Sequence, residues 1–575
     1  MAAPRSRYRP ALLQLFSNYR RADVAADIGA GLTVGVIALP LAIGFGIASG
    51  GTPAQGLWTA IVGGFIIAVL GGSRWQIGGP TGAFVPVLAG IVAVQGYDGL
   101  MLATLLAGVL LTLMGLFRFG ALLRYIPYPV IAGFTTGIAV IIFLGQVPNM
   151  LGLDFKAPGH APELAWGIVE HVLGLHWPTA GIGALGLAIV FLWPKVTTKI
   201  PSAIVAVISL TLLNHLAGWD AATIHSQFGD LPSSLPGWHF PAVTLEKLRG
   251  VLGPACTIAA LGAIESLLSA TVADGMADTR HDSNAELIGQ GLANIASPLV
   301  GGFAATGAIA RTAANIRSGA RSPLSGIVHC LALLVFVLFA AKWAGYIPLA
   351  ALSAVLMGVA VRMAEWDTFG EVWRGSRSDF SVMLATFLLT VVFDLTVGVM
   401  AGLVIALVLF VRRMEQISHV KLLTPESDSE LDGSNSLRGK NVPDGVVLFR
   451  FEGPLFFAAV EKLEYALRNH GGKPRAVIFR LRHVPAIDTT ALHSLEVAVE
   501  KMQRDGVRIL LTAVQPQPMK VLFRSGLVDK IGLENFCAHL DEALALCRES
   551  PDSAAENSEV KQATFPSSEV PSPHQ

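Results

Sequence analysis

Gly78-Gly79-Pro80-Thr81-Gly82-Ala83-Phe84 interrupts a long apolar stretch, and far downstream Gly301-Gly302-Phe303-Ala304-Ala305-Thr306-Gly307-Ala308-Ile309 interrupts another in the same way. A Thr-Gly-Ala core behind a glycine pair thus occurs twice. Gly/Pro-interrupted segments at corresponding places in two halves of an apolar chain point to the substrate site of a secondary transporter. The reason is physical: a broken helix leaves free backbone N–H groups and a positive dipole end, and both attract anions. The pair therefore predicts a membrane carrier for an anion.

Working outward, the composition agrees. Of 575 residues, 53% are hydrophobic and 14% charged, with a mean hydropathy of +0.58. A soluble domain carries about 25% charged residues. The net charge is +0, which gives no footing for nucleic-acid binding. Cys256, Cys330, Cys537 and Cys547 show neither metal-ligand nor redox spacing and read as structural thiols. The N-terminal arm is basic but lacks a short apolar core with a cleavage site, so it reads as a retained cytoplasmic arm.

At about 20 residues per full crossing, and fewer for broken ones, the apolar sequence from Ile28 to Phe410 divides into fourteen predicted spans. The third (78–95) and tenth (305–318) are expected to be half helical. With the N-terminus inside, every even-numbered span must end beside Lys or Arg. The junctions carry Arg74, Arg118 with Arg124, Lys195 with Lys199, Arg280, Arg317 with Arg321, Arg362 with Arg374 and Arg377, and Arg412 with Arg413. Facing loops hold fewer, chiefly Lys156, Lys247, Arg249 and Lys342. Seven spans per half force the second half to cross in the opposite sense, an inverted repeat with its site at the bilayer midplane. Asp394 marks the expected turn between the last two spans.

After Arg413 the composition turns polar. The expected organisation is a cytoplasmic arm (1–22), a transmembrane domain (23–413), a linker (414–439), a small domain (440–548) and a disordered Ser/Pro/Glu-rich tail (549–575). In the small domain, β-type runs at 445–451, 475–481 and 507–514 alternate with helix-patterned stretches, which predicts an α/β sheet.

The first span (ADIGAGLTVGVIALPLAIGFGIASG) with GPTGAF, and the region IESLLSATVADG to GGFAATGAIARTAANIRSG, resemble the SulP family of anion transporters. The tail, with Ile487-Asp488-Thr489-Thr490-Ala491-Leu492, resembles its STAS domain. The resemblance covers about residues 20–548. It implies a 7+7 inverted-repeat fold, a core domain moving against a gate domain, and a homodimer in a bacterial inner (plasma) membrane with both termini cytoplasmic. Family substrates include sulfate, bicarbonate, chloride, oxalate and dicarboxylates, with H⁺ or Na⁺ coupling in some members and exchange in others.

Arg311, five residues after Thr306 and so about 7.5 Å along a helix, is the first candidate. A guanidinium at membrane depth needs a partner or a cavity, and the resemblance gives it the positive potential at the anion site. Thr81 and Thr306 stand at the two half-helix starts. Gly82, Ala305, Gly307 and Ala308 let an anion approach the backbone. Phe45 holds a pocket-lining place in the family pattern; Leu41 stands where several animal members carry Gln. Glu265, with Ser269 four residues on along one helix face, is the candidate for ion coupling, a carboxylate in an apolar span being a plausible proton carrier. Thr489 and Thr490 sit where bacterial anti-sigma-factor antagonists have a phosphorylatable serine; the plain alternative is a helix N-cap by Asp488 or Thr489. No P-loop, metal cluster or nucleophile–base constellation is visible, so neither ATP-driven transport nor catalysis is expected, and no cofactor.

The expected function is therefore secondary transport of a small oxyanion, sulfate or bicarbonate first, with H⁺ (or Na⁺) moving through Glu265. C4-dicarboxylate/H⁺ symport and Na⁺/bicarbonate symport remain alternatives. So do a nucleobase transporter of the same architecture, an uncoupled channel, and a signalling protein whose STAS domain recruits a cytoplasmic partner.

Overall fold

The structure, a computed structural model, describes residues 8–13, 19–121, 126–155, 161–197, 200–231, 234–241, 243–393, 395–423, 437, 440–456 and 474–548. Arg124, Lys156, Lys199, Asp394, most of the linker and the tail from 549 lie outside the described residues, as does the helix-patterned stretch 458–470. The chain divides into two compact units, Met1–Ala406 and Leu407–Gln575.

The first unit is helical: α1 (Arg21–Ala48), α2 (Pro53–Leu70), α3 (Val85–Leu116), α4 (Tyr128–Leu151), α5 (Ala161–His171), α6 (Trp177–Val196), α7 (Ser202–Ala217), α8 (Leu245–Ala277), α9 (Ser283–Leu299), α10 (Ile309–Arg317), α11 (Leu324–Ala344), α12 (Leu349–Met363), α13 (Trp366–Gly375) and α14 (Arg377–Val392), with α15 (Leu395–Ile417) running across the division. Local sequence sets the ends. Pro53 opens α2 behind a Thr52–Gln55 capping box, and Thr244 caps α8. Gly96, at φ 69°, breaks α3, where the sequence places the boundary between two spans.

Among the described residues, nine helices are long and apolar enough to cross a membrane by length and composition, and Ser202–Ala217 is a shorter apolar one. The segments expected as spans nine, ten and thirteen are helices of 17, 9 and 16 residues. The fourteen-span count thus stays an expectation about the bilayer, which helix length alone does not decide. The stretch between spans twelve and thirteen is itself helical. There α13 packs Phe369 on Phe387 of α14 (centroids 5.6 Å apart) and Trp373 on Phe380 (4.7 Å).

Two short strands sit inside this helical unit. β1 (Gly78–Gly79) pairs antiparallel with β2 (Thr306–Gly307), in register Gly78 to Gly307 and Gly79 to Thr306. The two Thr-Gly-Ala motifs therefore cross each other, and a helix starts immediately beyond each, at Gly82 and at Ile309.

The second unit holds a five-stranded sheet in the order β3 (His419–Leu422), β4 (Val446–Glu452), β5 (Ala476–His483), β6 (Arg508–Thr512) and β7 (Phe536–Cys537). β4 to β7 run parallel, and β3 adds antiparallel at the edge. The three expected strands are the central ones. β3 comes from sequence read as linker, too short and polar to register as a strand until paired. α16 (Thr489–Arg504), α17 (Pro516–Arg524) and α18 (Leu527–Ile531) cover one face of the sheet, packing on Phe449, Phe479 and Leu511, while α19 (Leu540–Arg548) closes the other over Leu448, Ile478 and Leu510.

Candidate functional site

A strand crossing buried among apolar helices must find partners for its own peptide groups, since an unpaired buried donor or acceptor costs about 1–3 kcal/mol. Side chains of the surrounding helices supply them. Ser297 donates to the Phe303 carbonyl (2.7 Å), and the Phe303 N–H donates to the Thr59 hydroxyl (2.9 Å). Asn294 grips Ala305 twice: Oδ1 accepts from its N–H at 2.9 Å and Nδ2 donates to its carbonyl at 2.8 Å. The Gly307 N–H donates to Ser266 Oγ (3.3 Å), and the Ala308 N–H to the Ile77 carbonyl (2.9 Å).

Gln76 locks the other side. Its Nε2 donates to the Ser266 carbonyl (3.1 Å), and its Oε1 accepts from Ser269 (3.0 Å). A Cβ on Gly307 would stand 1.5 Å from Gln76 Nε2, so a side chain there must displace Gln76 and break its bonds to Ser266 and Ser269.

Arg311, on α10, lies across this crossing. It is only 2% exposed. Its Nη2 donates to the Pro80 carbonyl (2.5 Å), and Nη1 lies 2.9 Å from where a Cβ on Gly79 would be. Nη1 is buried and has no hydrogen-bond partner among the described residues. Glu265, on α8, acts on it electrostatically and accepts a hydrogen bond from the Thr81 hydroxyl (2.8 Å). Phe45 (4% exposed) and Ile142 flank Gly82: a Cβ there would meet Ile142 Cδ1 at 3.1 Å and Phe45 Cε1 at 3.4 Å. Leu41 is also buried.

The structure thus gathers Phe45, Thr81, Gly82, Glu265 and Arg311, and it gives the remaining candidates other work. The Thr306 hydroxyl is engaged with Ser266 Oγ (2.7 Å) and the Gly262 carbonyl (3.3 Å). Ser269 serves Gln76 rather than Glu265. Ala305, Gly307 and Ala308 have their N–H groups paired within the crossing. The amides left by helix geometry are those of the first turns, Gly82 and Ala83 on one side and Ile309 and Ala310 on the other. Gln76, Asn294 and Ser266 escaped notice in the sequence; polar residues in otherwise apolar spans are the signal that could have found them. The same holds for Asp27, which accepts from the Arg321 N–H (2.6 Å), and for Glu286, which accepts from the Gly72 (2.9 Å) and Ser73 (3.0 Å) N–H groups.

No group of three or more His, Cys, Asp or Glu among the described residues could hold a metal ion. All four cysteines are free, three of them buried. In the second unit Asp488 caps α16, accepting from the Ala491 N–H (2.8 Å), which leaves Thr489 and Thr490 exposed in the first turn.

A buried crossing of two broken segments, faced by one guanidinium and one carboxylate inside a helical membrane unit, defines a membrane transporter rather than an enzyme. Residues 24–386 match the sulfate permease family, and residues 440–543 match the STAS domain. This chain belongs to the sulfate permease family. It is 40% identical over 530 residues to YvdB of Bacillus subtilis, which bears a sulfate-transporter name, spanning 92% of this chain and 98% of that one. It is 30% identical to the bicarbonate transporter BicA of Picosynechococcus (92% and 96% covered). The solved transmembrane domain of a cyanobacterial BicA superposes with a TM-score of 0.62 at 32% identity, covering 66% of this chain and 98% of that one. Murine Slc26a9 shares the fold at a TM-score of 0.84 and 16% identity, with 94% of each chain covered.

Proposed function

We propose that this protein carries a small oxyanion, sulfate or bicarbonate, across a bacterial plasma membrane by alternating access, coupled to H⁺ through Glu265. The observation that carries this reading is Arg311: a guanidinium 2% exposed, one terminal nitrogen tied to Pro80 and the other terminal nitrogen without a partner among the described residues. An oxyanion beside the first-turn amides of Gly82 and Ile309 would accept from that nitrogen. The sulfate-transporter name of YvdB and the bicarbonate-transporter name of BicA support the substrate class.

Glu265 supplies the coupling logic. While ionised it competes with an anion for the field of Arg311; once protonated it leaves the cation's charge to the substrate. Proton and anion then favour each other's binding, and that reciprocity is the thermodynamic content of symport. The chemistry ranks the two anions. Carrying HCO₃⁻ with H⁺ is equivalent to moving CO₂ and water, so it only reaches the distribution that CO₂ diffusion already sets, whereas sulfate has no such permeant neutral form. Proton coupling therefore goes with sulfate. The fourteen-span inverted repeat, cytoplasmic termini and homodimer belong to the same proposal, as does a cytoplasmic partner for the STAS domain addressed through exposed Thr489 and Thr490.

The test is uptake of labelled sulfate, bicarbonate and fumarate into proteoliposomes under an imposed proton or sodium gradient, for wild type and Glu265→Gln. Proton-stimulated sulfate uptake lost in Glu265→Gln is the expected result. Flux that ignores both gradients and survives the substitution makes the protein an exchanger or channel and removes Glu265 from the mechanism.

A further inference from the structure

Where α8 ends and α9 begins, well along the chain from the anion site, three side chains form a relay that the transport reading does not use. Asp274 Oδ2 accepts from His281 Nδ1 at 2.7 Å and from the His281 backbone N–H at 3.0 Å. Its Oδ1 accepts from the Thr279 hydroxyl (3.0 Å), which accepts in turn from Trp75 Nε1 (3.2 Å). The carboxylate is therefore fixed from both sides. On the far side of the ring, His281 Nε2 lies 3.0 Å from Ser283 Oγ.

A carboxylate on Nδ1 holds the proton there and leaves Nε2 as the acceptor facing a hydroxyl. These are the roles and distances of a nucleophile, its base and the group orienting the base. The His281 and Asp274 side chains are 8% and 17% exposed, so the pair is shielded from water, while Ser283 is partly exposed. Asp274 is the carboxylate bonded to the imidazole, so it faces the charge that forms on the ring when Ser283 gives up its proton. Gly120 packs closely against Ser283 from one side, where a Cβ would stand 2.8 Å from that of Ser283; Ser283 is partly exposed elsewhere.

We propose that Ser283 is an acyl-acceptor site, activated by His281 and Asp274 and modified once per chain by a small anionic acyl phosphate. Exposed Arg280, beside His281, and exposed Arg118, two residues before Gly120, supply the positive surroundings that favour an anionic donor. Ser283 Oγ attacks the carbonyl carbon; the new C–O ester bond forms as the C–O bond to phosphate breaks. The serine proton passes to His281 Nε2 and leaves with the phosphate, so no oxidant or further reactant is required. Reaction stops there. The amides of Asn284 and Ala285 at the start of α9 are taken by Asp282 Oδ1 at 3.0 and 3.1 Å, so no oxyanion hole assists either step: the activated acyl phosphate reacts without one, and the unactivated serine ester it leaves does not hydrolyse. The ester accumulates instead of turning over, and it replaces the hydroxyl hydrogen bond that joins Ser283 to His281.

The experiment incubates the purified full-length chain with acetyl phosphate, and separately with a fluorophosphonate probe, and maps adducts by peptide mass spectrometry. Both reagents are expected to mark Ser283 in preference to the exposed loop serine Ser234 in the same sample. Labelling should vanish in Ser283→Ala and slow at least about tenfold in His281→Gln, as loss of a general base requires. Free imidazole should restore it in His281→Gly, a rescue that a purely structural histidine would not show. Adducts spread over surface serines without preference for Ser283, or labelling as fast in His281→Gln as in wild type, overturn the proposal. The preference in the wild-type chain decides the matter even if a variant fails to fold.

Discussion

The two Thr-Gly-Ala copies share their letters and differ in their work. In the first, the Thr81 hydroxyl turns to Glu265; in the second, the Thr306 hydroxyl is absorbed by Ser266 and Gly262. Five residues after Thr306 stands Arg311, while five after Thr81 stands Pro86. The second copy thus contributes the cation and a tightly bonded scaffold, and the first contributes contact with the titratable group. A repeated sequence brings two segments to one place; the unrepeated neighbours decide what each does there.

The sharpest way to break this division is Arg311→Ala. Charge-assisted hydrogen bonds are worth about 1.5–3 kcal/mol, so anion affinity should fall roughly 10- to 100-fold, read by uptake and by direct binding. Arg311→Lys should recover only part, because an ammonium lacks the planar fork. Pro86→Ala should leave affinity near wild type.

Next comes the glycine pair. Gly307→Ala drives a Cβ to 1.5 Å from Gln76 Nε2, and overpacking of this kind destabilises by about 1–3 kcal/mol, measurable as a lower melting point in detergent. Adding Gln76→Ala should return much of that loss. Gly82→Ala, whose Cβ meets Ile142 at 3.1 Å, should keep the fold and weaken anion binding. The threonines sharpen the contrast further. Thr81→Val should change the pH profile of uptake, whereas Thr306→Val should leave that profile intact and lower stability by about 1–3 kcal/mol. If both change the pH profile alike, the division of labour is wrong.

Smaller effects are expected in the second unit. Asp488→Ala removes the cap of α16 and should destabilise that unit by about 1 kcal/mol, with anion affinity unaltered. The smallest concerns Glu500, whose carboxyl Lys530 holds below its ordinary range by a hydrogen bond and by charge. A depressed carboxylate contributes stability above its unfolded pKa and loses it as pH falls through the folded one. Lys530→Ala should flatten the acid limb of that unit's melting profile slightly, and less so in high salt.

The recurrence of Thr-Gly-Ala made the crossing legible in the sequence, because two broken segments in an apolar chain have few places to go. Arg311 and Glu265 were legible as charges where charges are expensive. The polar residues that hold the crossing were not: Asn294, Gln76 and Ser266 each act on a backbone group remote in sequence, and no periodicity records that pairing. The bonding of the Thr306 hydroxyl to Ser266 across the fold was hidden for the same reason. Strand β3 was hidden because its hydrogen bonds lie in β4. The Ser283–His281–Asp274 relay escaped although its members are close in sequence, since only the turn after α8 swings the imidazole between the other two.

The fit of Gln76 against Gly307 also sets a direction on change. Any descendant of this chain can lose the amide at position 76 first, leaving a gap, and only afterwards accept a side chain at 307. The reverse order passes through a clash of backbone-attached atoms with a side chain bonded at both ends. The crossing therefore weights its own history: while Gln76 keeps its place a side chain at 307 costs both of its hydrogen bonds, so the cheaper order of change alters 76 before 307.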